Sequence, residues 1–233
     1  MSEVSFLRHA GWVGPEDLVD PIIIVGCGAV GSNLALTAAK MGFHNFVLWD
    51  ADLVESHNLP NQAYDLVHVG MKKVDALEDV LHRFNPRINI TKNTDFLTKE
   101  NSQGLNGIMV IATDTMKSRY EFHDIIKFNP DIIGVFECRL GFDYGEVNYV
   151  DPLNSKSCKN FYSGLRPDSD IPEGPCNLRI CTTLVQLVSS YAVHSMCAKY
   201  AAKRNNSSWD VQPKTIFNLS PILNVFGTGL IGQ

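Results

Sequence analysis

The sequence predicts a doubly wound α/β fold, a mostly parallel sheet with helices on both faces. Three observations carry that expectation. Pro21-Ile-Ile-Ile-Val25 is a β-branched run without polar alternation, the pattern of a strand covered on both faces. It runs directly into a glycine loop and then a helical stretch, Ser32 to Met41, rich in Ala and Leu. A second apolar run, Phe46-Val-Leu-Trp49, comes within about 30 residues of the first, the length of a βαβ unit.

The remaining elements continue the alternation. Residues 1–20 are mixed in character, with a turn at Gly14-Pro15 and a short helix-like piece at Glu16-Asp17. Gly42 closes the first helix. Lys72 to Phe84 form an amphipathic helix, with Val74, Leu77, Val80, Leu81 and Phe84 at helical spacing, and Asn85-Pro86 stops it. Ile88-Asn-Ile90 reads as a short alternating strand and Gly107 to Ala112 as a buried one; Ser118 to Phe128 reads as a helix and Asp131 to Phe136 as a strand. The rhythm breaks after Gly141. Residues 151–180 hold four prolines and two glycines and read as a long crossing loop, of the kind that is usually functional in a compact domain. Thr182 to Ala202 then form a largely apolar helix. Thr215 to Leu219 and Ile222 to Phe226 make a short C-terminal β element joined at Ser220-Pro221. No internal repeat or low-complexity tract interrupts this order, and up to residue 140 it is that of a Rossmann-like sheet.

Composition bounds the function. A chain of 233 residues, 45% apolar and 19% charged, fits one globular domain with its own core. A net charge of −5 argues against a general nucleic-acid binder, which needs a basic face. No apolar run reaches the roughly 18 residues of a membrane span, and the first residues do not read as a signal peptide. Six cysteines occur with no C-x-x-C pair, and the histidines show no metal-ligand spacing, so neither a structural zinc nor a disulfide scaffold is expected. Reduced thiols and a cytoplasmic location are the expectation.

The chemistry concentrates near residue 30. Gly26-Cys-Gly28-Ala29-Val-Gly31 is G-x-G-x-x-G between a strand and a helix, where backbone N–H groups meet a phosphate at a helix N-terminus. Asp50 lies 19 residues beyond Gly31, at the end of the next strand, the place of a ribose-binding acid. Together they predict an adenosine nucleotide. Read alone they also fit an NAD(P)-dependent oxidoreductase. That alternative leaves Asn58, Lys73 and Asp114 without a role, and no Tyr-x-x-x-Lys pair accompanies it.

The residues after Asp50 narrow the choice. Asp50-Ala-Asp52-Leu-Val54-Glu-Ser-His-Asn58-Leu-Pro-Asn61-Gln62 resembles the D-x-D-x-V-x-x-x-N-L-x-R-Q signature of the ThiF/MoeB family, adenylyltransferases related to the ubiquitin-activating enzymes. Gly70-Met-Lys72-Lys73-Val74 resembles its G-x-x-K-V segment, Asn85-Pro86 its helix-ending N-P, and Thr113-Asp114 its strand-end T-D. The resemblance implies a single adenylation domain over 1–233, with a nucleotide-binding core over 22–140. Beyond that core would lie the crossing loop, apolar helix and C-terminal strands of residues 141–233. It implies ATP and Mg²⁺ as cofactors and, as partner, a small ubiquitin-like or sulfur-carrier protein with a C-terminal Gly-Gly. That carrier's carboxylate becomes an acyl adenylate, with no nucleic acid or membrane involved and a homodimer as the assembly. Lys73 would be the phosphate cation, Asn58 a neutral donor and Asp114 the Mg²⁺ ligand. Asp50 would take the ribose, with Asp52 and Gln62 close by and Gly26, Gly28, Ala29 and Gly31 around the phosphates.

Each role has an ordinary competitor: Asp52 as a turn cap, Lys73 as a solvated helix residue, Asp114 as the N-cap of the next helix. The sequence also departs from the family pattern. Asn61 stands where an arginine usually touches the triphosphate, which keeps an inactive nucleotide-binding partner subunit among the readings and makes Arg8 or Lys72 the candidate replacement cation. Thr115 replaces the usual Asn after the aspartate. Members that form a thioester use a cysteine just after the crossing loop. Cys176 lies at the matching place, and Cys181, directly before the apolar helix, is its rival, with two inert buried thiols as the remaining possibility.

Overall fold

Strand β1 (Ile22–Val25) is buried at every residue because the sheet covers it on both sides and helices cover both its faces. That is why its sequence carries no alternation. The computed structural model describes residues 3–141, 143–165, 181–209, 211–219 and 224–227. After β1 come α1 (Ala29–Met41), β2 (Asn45–Trp49), α2 (Lys73–Phe84), β3 (Asn89–Asn93), β4 (Gly107–Ile111), α3 (Met116–Ile126) and β5 (Ile132–Leu140). Next are β6 (Tyr144–Val150), α4 (Ser155–Ser163), α5 (Thr182–Arg204), β7 (Lys214–Asn218) and β8 (Asn224–Gly227).

The strands form one sheet in the order β3-β2-β1-β4-β5-β6-β7-β8. The first five are parallel, and β5 to β8 are paired antiparallel. Chain order reverses between β1 and β4, so their C-terminal ends open the crevice where ligands bind in doubly wound sheets. The core has two layers. Ile22, Ile24, Leu48 and Val110 point toward α1, α2 and α5, while Ile23, Val25, Met109 and Val135 point toward α3 and α4. Alternate residues of one strand thus feed opposite layers.

The expected alternation up to residue 140 is present, with element ends shifted by a few residues. Three expectations are corrected. β5 does not end at Phe136: it continues through Glu137 and Arg139 to Leu140 and turns back as β6, a strand the sequence pattern does not announce. Polar residues hide it, and they are accommodated because Glu137 and Arg139 satisfy each other. The segment from residue 151 is not wholly loop either. Asn154 Oδ1 accepts the Lys156 and Ser157 amides and starts α4, which holds to the core through Cys158 and Phe161. The helix is only nine residues long and mostly polar, too short for its two buried positions to stand out from the surrounding loop in sequence. Finally, Thr115 and not Asp114 is the N-cap of α3, its hydroxyl accepting the Ser118 amide at 3.4 Å. The rest of the expected crossing loop, 166–180, and the Ser220-Pro221 joint lie outside the described residues.

Candidate functional site

The turn between β1 and α1 admits only glycine at two places. Gly26 has φ +93°, in the left-handed region, and a Cβ there would stand 2.7 Å from the Ala112 carbonyl. A Cβ on Gly31 would stand 1.9 Å from the Gly26 carbonyl, so helix and strand meet backbone to backbone. Gly28 is different: nothing lies within 4 Å of its missing side chain. It is the N-cap of α1, beside Ala29, with no side chain capping the helix, and uncapped amides at a helix N-terminus are the kind of donor an anion can use.

Asp50, at the end of β2, closes the floor of this turn. Its Oδ2 accepts the Cys27 amide at 2.7 Å and its Oδ1 accepts the Asp52 amide at 2.9 Å. Lys73, the first residue of α2, reaches across. Its Nζ is 2.8 Å from Asp52 Oδ2 and 3.9 Å from Asp50 Oδ1. The backbone repeats the link, since the Lys73 amide donates to the Asp52 carbonyl at 3.0 Å. Burial raises the pKa of Asp50 despite the opposing pull of Lys73 and the two amides. Burial also depresses Lys73, but Asp50 and Asp52 outweigh it, so the ammonium is held above its usual range. The result is a fixed cation between two carboxylates, beside the glycine turn. Asp52 and Lys73 are therefore neither a plain turn cap nor a solvated surface lysine. Tyr64 ties the glycine turn to the start of α2, its hydroxyl donating to the Cys27 carbonyl at 2.6 Å and lying 3.2 Å from the Lys73 carbonyl.

The turn carrying Asn58, Asn61 and Gln62 is tied to α5. Asn61 Oδ1 accepts the Thr182 hydroxyl at 2.7 Å, and the Asn61 carbonyl accepts Asn33 Nδ2 at 2.9 Å. Asn33 in turn accepts from Gln186 at 2.7 Å. The residue that replaces the family arginine thus fastens the start of α5 to α1. Asn58 Oδ1 accepts the Glu55 amide at 2.9 Å. Gln62 Oε1 is buried and accepts nothing from the described residues. Lys72 Nζ donates to the Ala51 carbonyl at 2.7 Å. Arg8 is exposed in the N-terminal turns. Asp114 stands exposed past the end of β4, the strand next to β1.

Among the described cysteines only Cys181 is exposed; Cys27, Cys138, Cys158 and Cys197 are buried. Cys181 is the N-cap of α5, with Sγ 2.8 Å from the Thr183 hydroxyl. That hydroxyl, with the Leu184 and Thr183 amides, holds the thiol below its usual range. Cys176 lies outside the described residues. No cluster of three or more His, Cys, Asp or Glu side chains suited to a metal occurs among the described residues. No helix among them is long and apolar enough to cross a membrane.

Sequence reasoning missed the bracing residues Asn33, Tyr64, Thr182 and Gln186, whose types and spacing are those of any helix or turn. It also missed Arg119 and Glu137. Glu137 is fully buried in β5 and shares its carboxylate between Arg119 and Arg139. A lone acid inside the apolar run Ile132-Ile-Gly-Val-Phe-Glu137 was the available signal.

Comparison with known proteins bears on the family and the fold. The ThiF family profile matches residues 19–211. The sulfur carrier protein ThiS adenylyltransferase of Escherichia coli K12 is 26% identical over 190 residues, covering 76% of this chain and 73% of that protein. The molybdopterin-synthase adenylyltransferase of the same organism is 38% identical over 87 residues, covering 36% of this chain and 35% of that protein. The adenylyltransferase and sulfurtransferase MOCS3 of Culex quinquefasciatus is 33% identical over 110 residues, which cover 44% of this chain and only 24% of that longer protein. Among solved structures, PaaA superposes with a TM-score of 0.69 at 19% identity over 93% of this chain and 67% of its own. E. coli MccB with ATP gives 0.67 at 15% identity over 92% and 66%. At those identities the structures establish the fold, and the family match, spanning most of the sequence, establishes kinship: the chain belongs to the ThiF family.

Proposed function

We propose that this chain is an ATP-dependent adenylyltransferase. It activates the C-terminal carboxylate of a small ubiquitin-like or sulfur-carrier protein ending in Gly-Gly, in the cytoplasm and as a homodimer. The observation that carries the reading is the Asp50–Lys73–Asp52 arrangement beside the open turn at Gly28, which a dinucleotide site does not need. In the reaction a carboxylate oxygen forms a bond to the α-phosphorus of ATP, the bond from that phosphorus to the bridging oxygen breaks, and pyrophosphate leaves.

Two anions must approach each other, so the chain's task is positioning and charge neutralisation. The Gly28 and Ala29 amides at the α1 N-terminus take phosphate oxygens, and Asp50 takes the ribose hydroxyls. Lys73 presents its ammonium to the phosphates from a post that Asp50 and Asp52 fix. Asn58 keeps its Nδ2 for the nucleotide while its Oδ1 is engaged, and Asn61 and Gln62 border the same space. Asp114 fits a magnesium ion, because one exposed carboxylate plus substrate phosphates is a donor set that cation accepts. When bound there, Mg²⁺ neutralises charge on the phosphates. Arg8 is the candidate cation to reach the partner protomer's site in place of the arginine missing at Asn61.

The relatives named for ThiS and molybdopterin synthase support a carrier-protein substrate. The test is ATP–pyrophosphate exchange with such a carrier. Exchange is expected in the unmodified chain and lost in Asp114→Ala with the melting temperature unchanged. Undiminished exchange in that variant overturns the assignment.

A further inference from the structure

We propose that Arg119 is a positioning residue for the Asp114 turn, holding it through the Thr113 carbonyl and through a carboxylate shared with Arg139. The inference rests on the adenylation reading, in which Asp114 meets the nucleotide. Arg119 lies five residues beyond Asp114, on the inner face of α3, and is 5% exposed. Its Nη2 donates to the carbonyl of Thr113, the residue immediately before Asp114, and also lies 3.3 Å from the Cys138 carbonyl on β5. One guanidinium nitrogen thus pins the turn after β4 to the neighbouring strand.

The other side of the guanidinium is anchored independently. Arg119 Nε is 2.7 Å from Glu137 Oε1, an ion pair whose N–H is not aligned on the oxygen. Arg139 Nε lies 2.7 Å and 3.0 Å from the two Glu137 oxygens, and Asn148 Nδ2 donates to Oε2 at 2.7 Å. Two guanidinium groups therefore share one fully buried carboxylate. The neighbouring inward residues of α3, Phe122, Ile125 and Ile126, are apolar. Packing alone would favour an apolar side chain here too, since charged groups are costly to bury. What only an arginine adds is direction. Its planar fork donates from Nη2 to the Thr113 carbonyl while Nε stays in ion-pair distance of the carboxylate, two directions that a lysine's single ammonium cannot cover at once.

The test is Arg119→Lys, which keeps the charge for Glu137 and loses the fork. Binding of ATP is measured as Mg²⁺ is titrated, together with hydrogen exchange of the amides of residues 113–118. The variant is expected to need about tenfold more Mg²⁺ for the same ATP affinity, the size typical when a partner behind a metal ligand is lost. The amides of 113–118 should exchange about tenfold faster as the turn loosens. In an Asp114→Asn background, adding Arg119→Lys should change the Mg²⁺ requirement no further, because the effect runs through Asp114. A lowered melting temperature with unchanged Mg²⁺ dependence, or additive effects in the double variant, overturns the proposal. Should Arg119→Lys not fold, Arg139→Lys takes its place with the same readouts and the same direction, and an unchanged requirement there overturns it equally. If the unmodified chain binds no Mg·ATP, the adenylation reading fails. Exchange at 113–118 without nucleotide then still decides whether Arg119 holds the turn.

Discussion

Replacing Lys73 with Met removes the cation between Asp50 and Asp52 while keeping most of the side chain's length. The Lys73 side chain is 11% exposed and Asp50 7%, so the Asp50 carboxylate is left buried without its counter-charge. Breaking a fully buried ion pair costs about 3–5 kcal/mol; because Asp52 is 59% exposed and can rehydrate, about 2–3 kcal/mol is expected here. For a chain of this size that lowers the melting temperature by about 4–12 °C. The loss depends on pH with a definite sign. Asp50 already has a raised pKa in the folded state, and losing Lys73 removes the attraction that opposed it, raising it further. A carboxyl with a raised folded pKa binds its proton more tightly when folded, so acidification favours the folded variant. The deficit relative to the unmodified chain is therefore greatest above the folded pKa of Asp50 and narrows as pH falls through it. Thermal melts of both proteins at pH 7.5 and at mildly acidic pH measure this. Equal stability at neutral pH, or a deficit that does not change with pH, refutes the reasoning.

Two glycine variants should behave oppositely. Gly31→Ala puts a Cβ 1.9 Å from the Gly26 carbonyl and should leave little folded protein by circular dichroism, whereas Gly28→Ala meets nothing within 4 Å and should fold. On the proposed reading, Gly28→Ala should nevertheless bind ATP more weakly in calorimetry, because its methyl group would enter the open space assigned to the phosphates. Tyr64→Phe removes a buried donor from the Cys27 carbonyl and should cost about 1–3 kcal/mol in denaturant unfolding, with unchanged circular dichroism. Among the described cysteines, iodoacetamide at pH 7 should modify Cys181 first, by peptide mapping. Its thiol is exposed and shifted down, while burial pushes Cys197 up to about 12 and Cys138 higher still.

Legible and hidden features of the sequence separate along physical lines. The parallel half of the sheet was legible because strands covered on both faces must be apolar throughout, as Ile22 to Val25 are. The glycine turn and Asp50 were legible because close backbone approach leaves one residue type at Gly31. Strand β6 and helix α4 were not. β6 is short and carries the polar residues Glu146 and Asn148, whose partners, Lys214 and Glu137, lie on other strands. α4 binds the core through only Cys158 and Phe161. The site divides in the same way. Residues that would meet the nucleotide carried a motif, but those that hold them in place, Tyr64, Asn33 and Arg119, are defined by contacts between distant segments. Asn61 marks the boundary. Its departure from the family arginine was visible, and its bond to Thr182 was not.

The most direct test of the central claim is to follow both ends of ATP when the chain meets a Gly-Gly-ending carrier and Mg²⁺. With label at the α-phosphate, AMP should appear attached to the carrier's C-terminal carboxylate; with label at the γ-phosphate, an equal amount should be recovered as pyrophosphate. Label recovered as inorganic phosphate and ADP, with no AMP on the carrier, would contradict it.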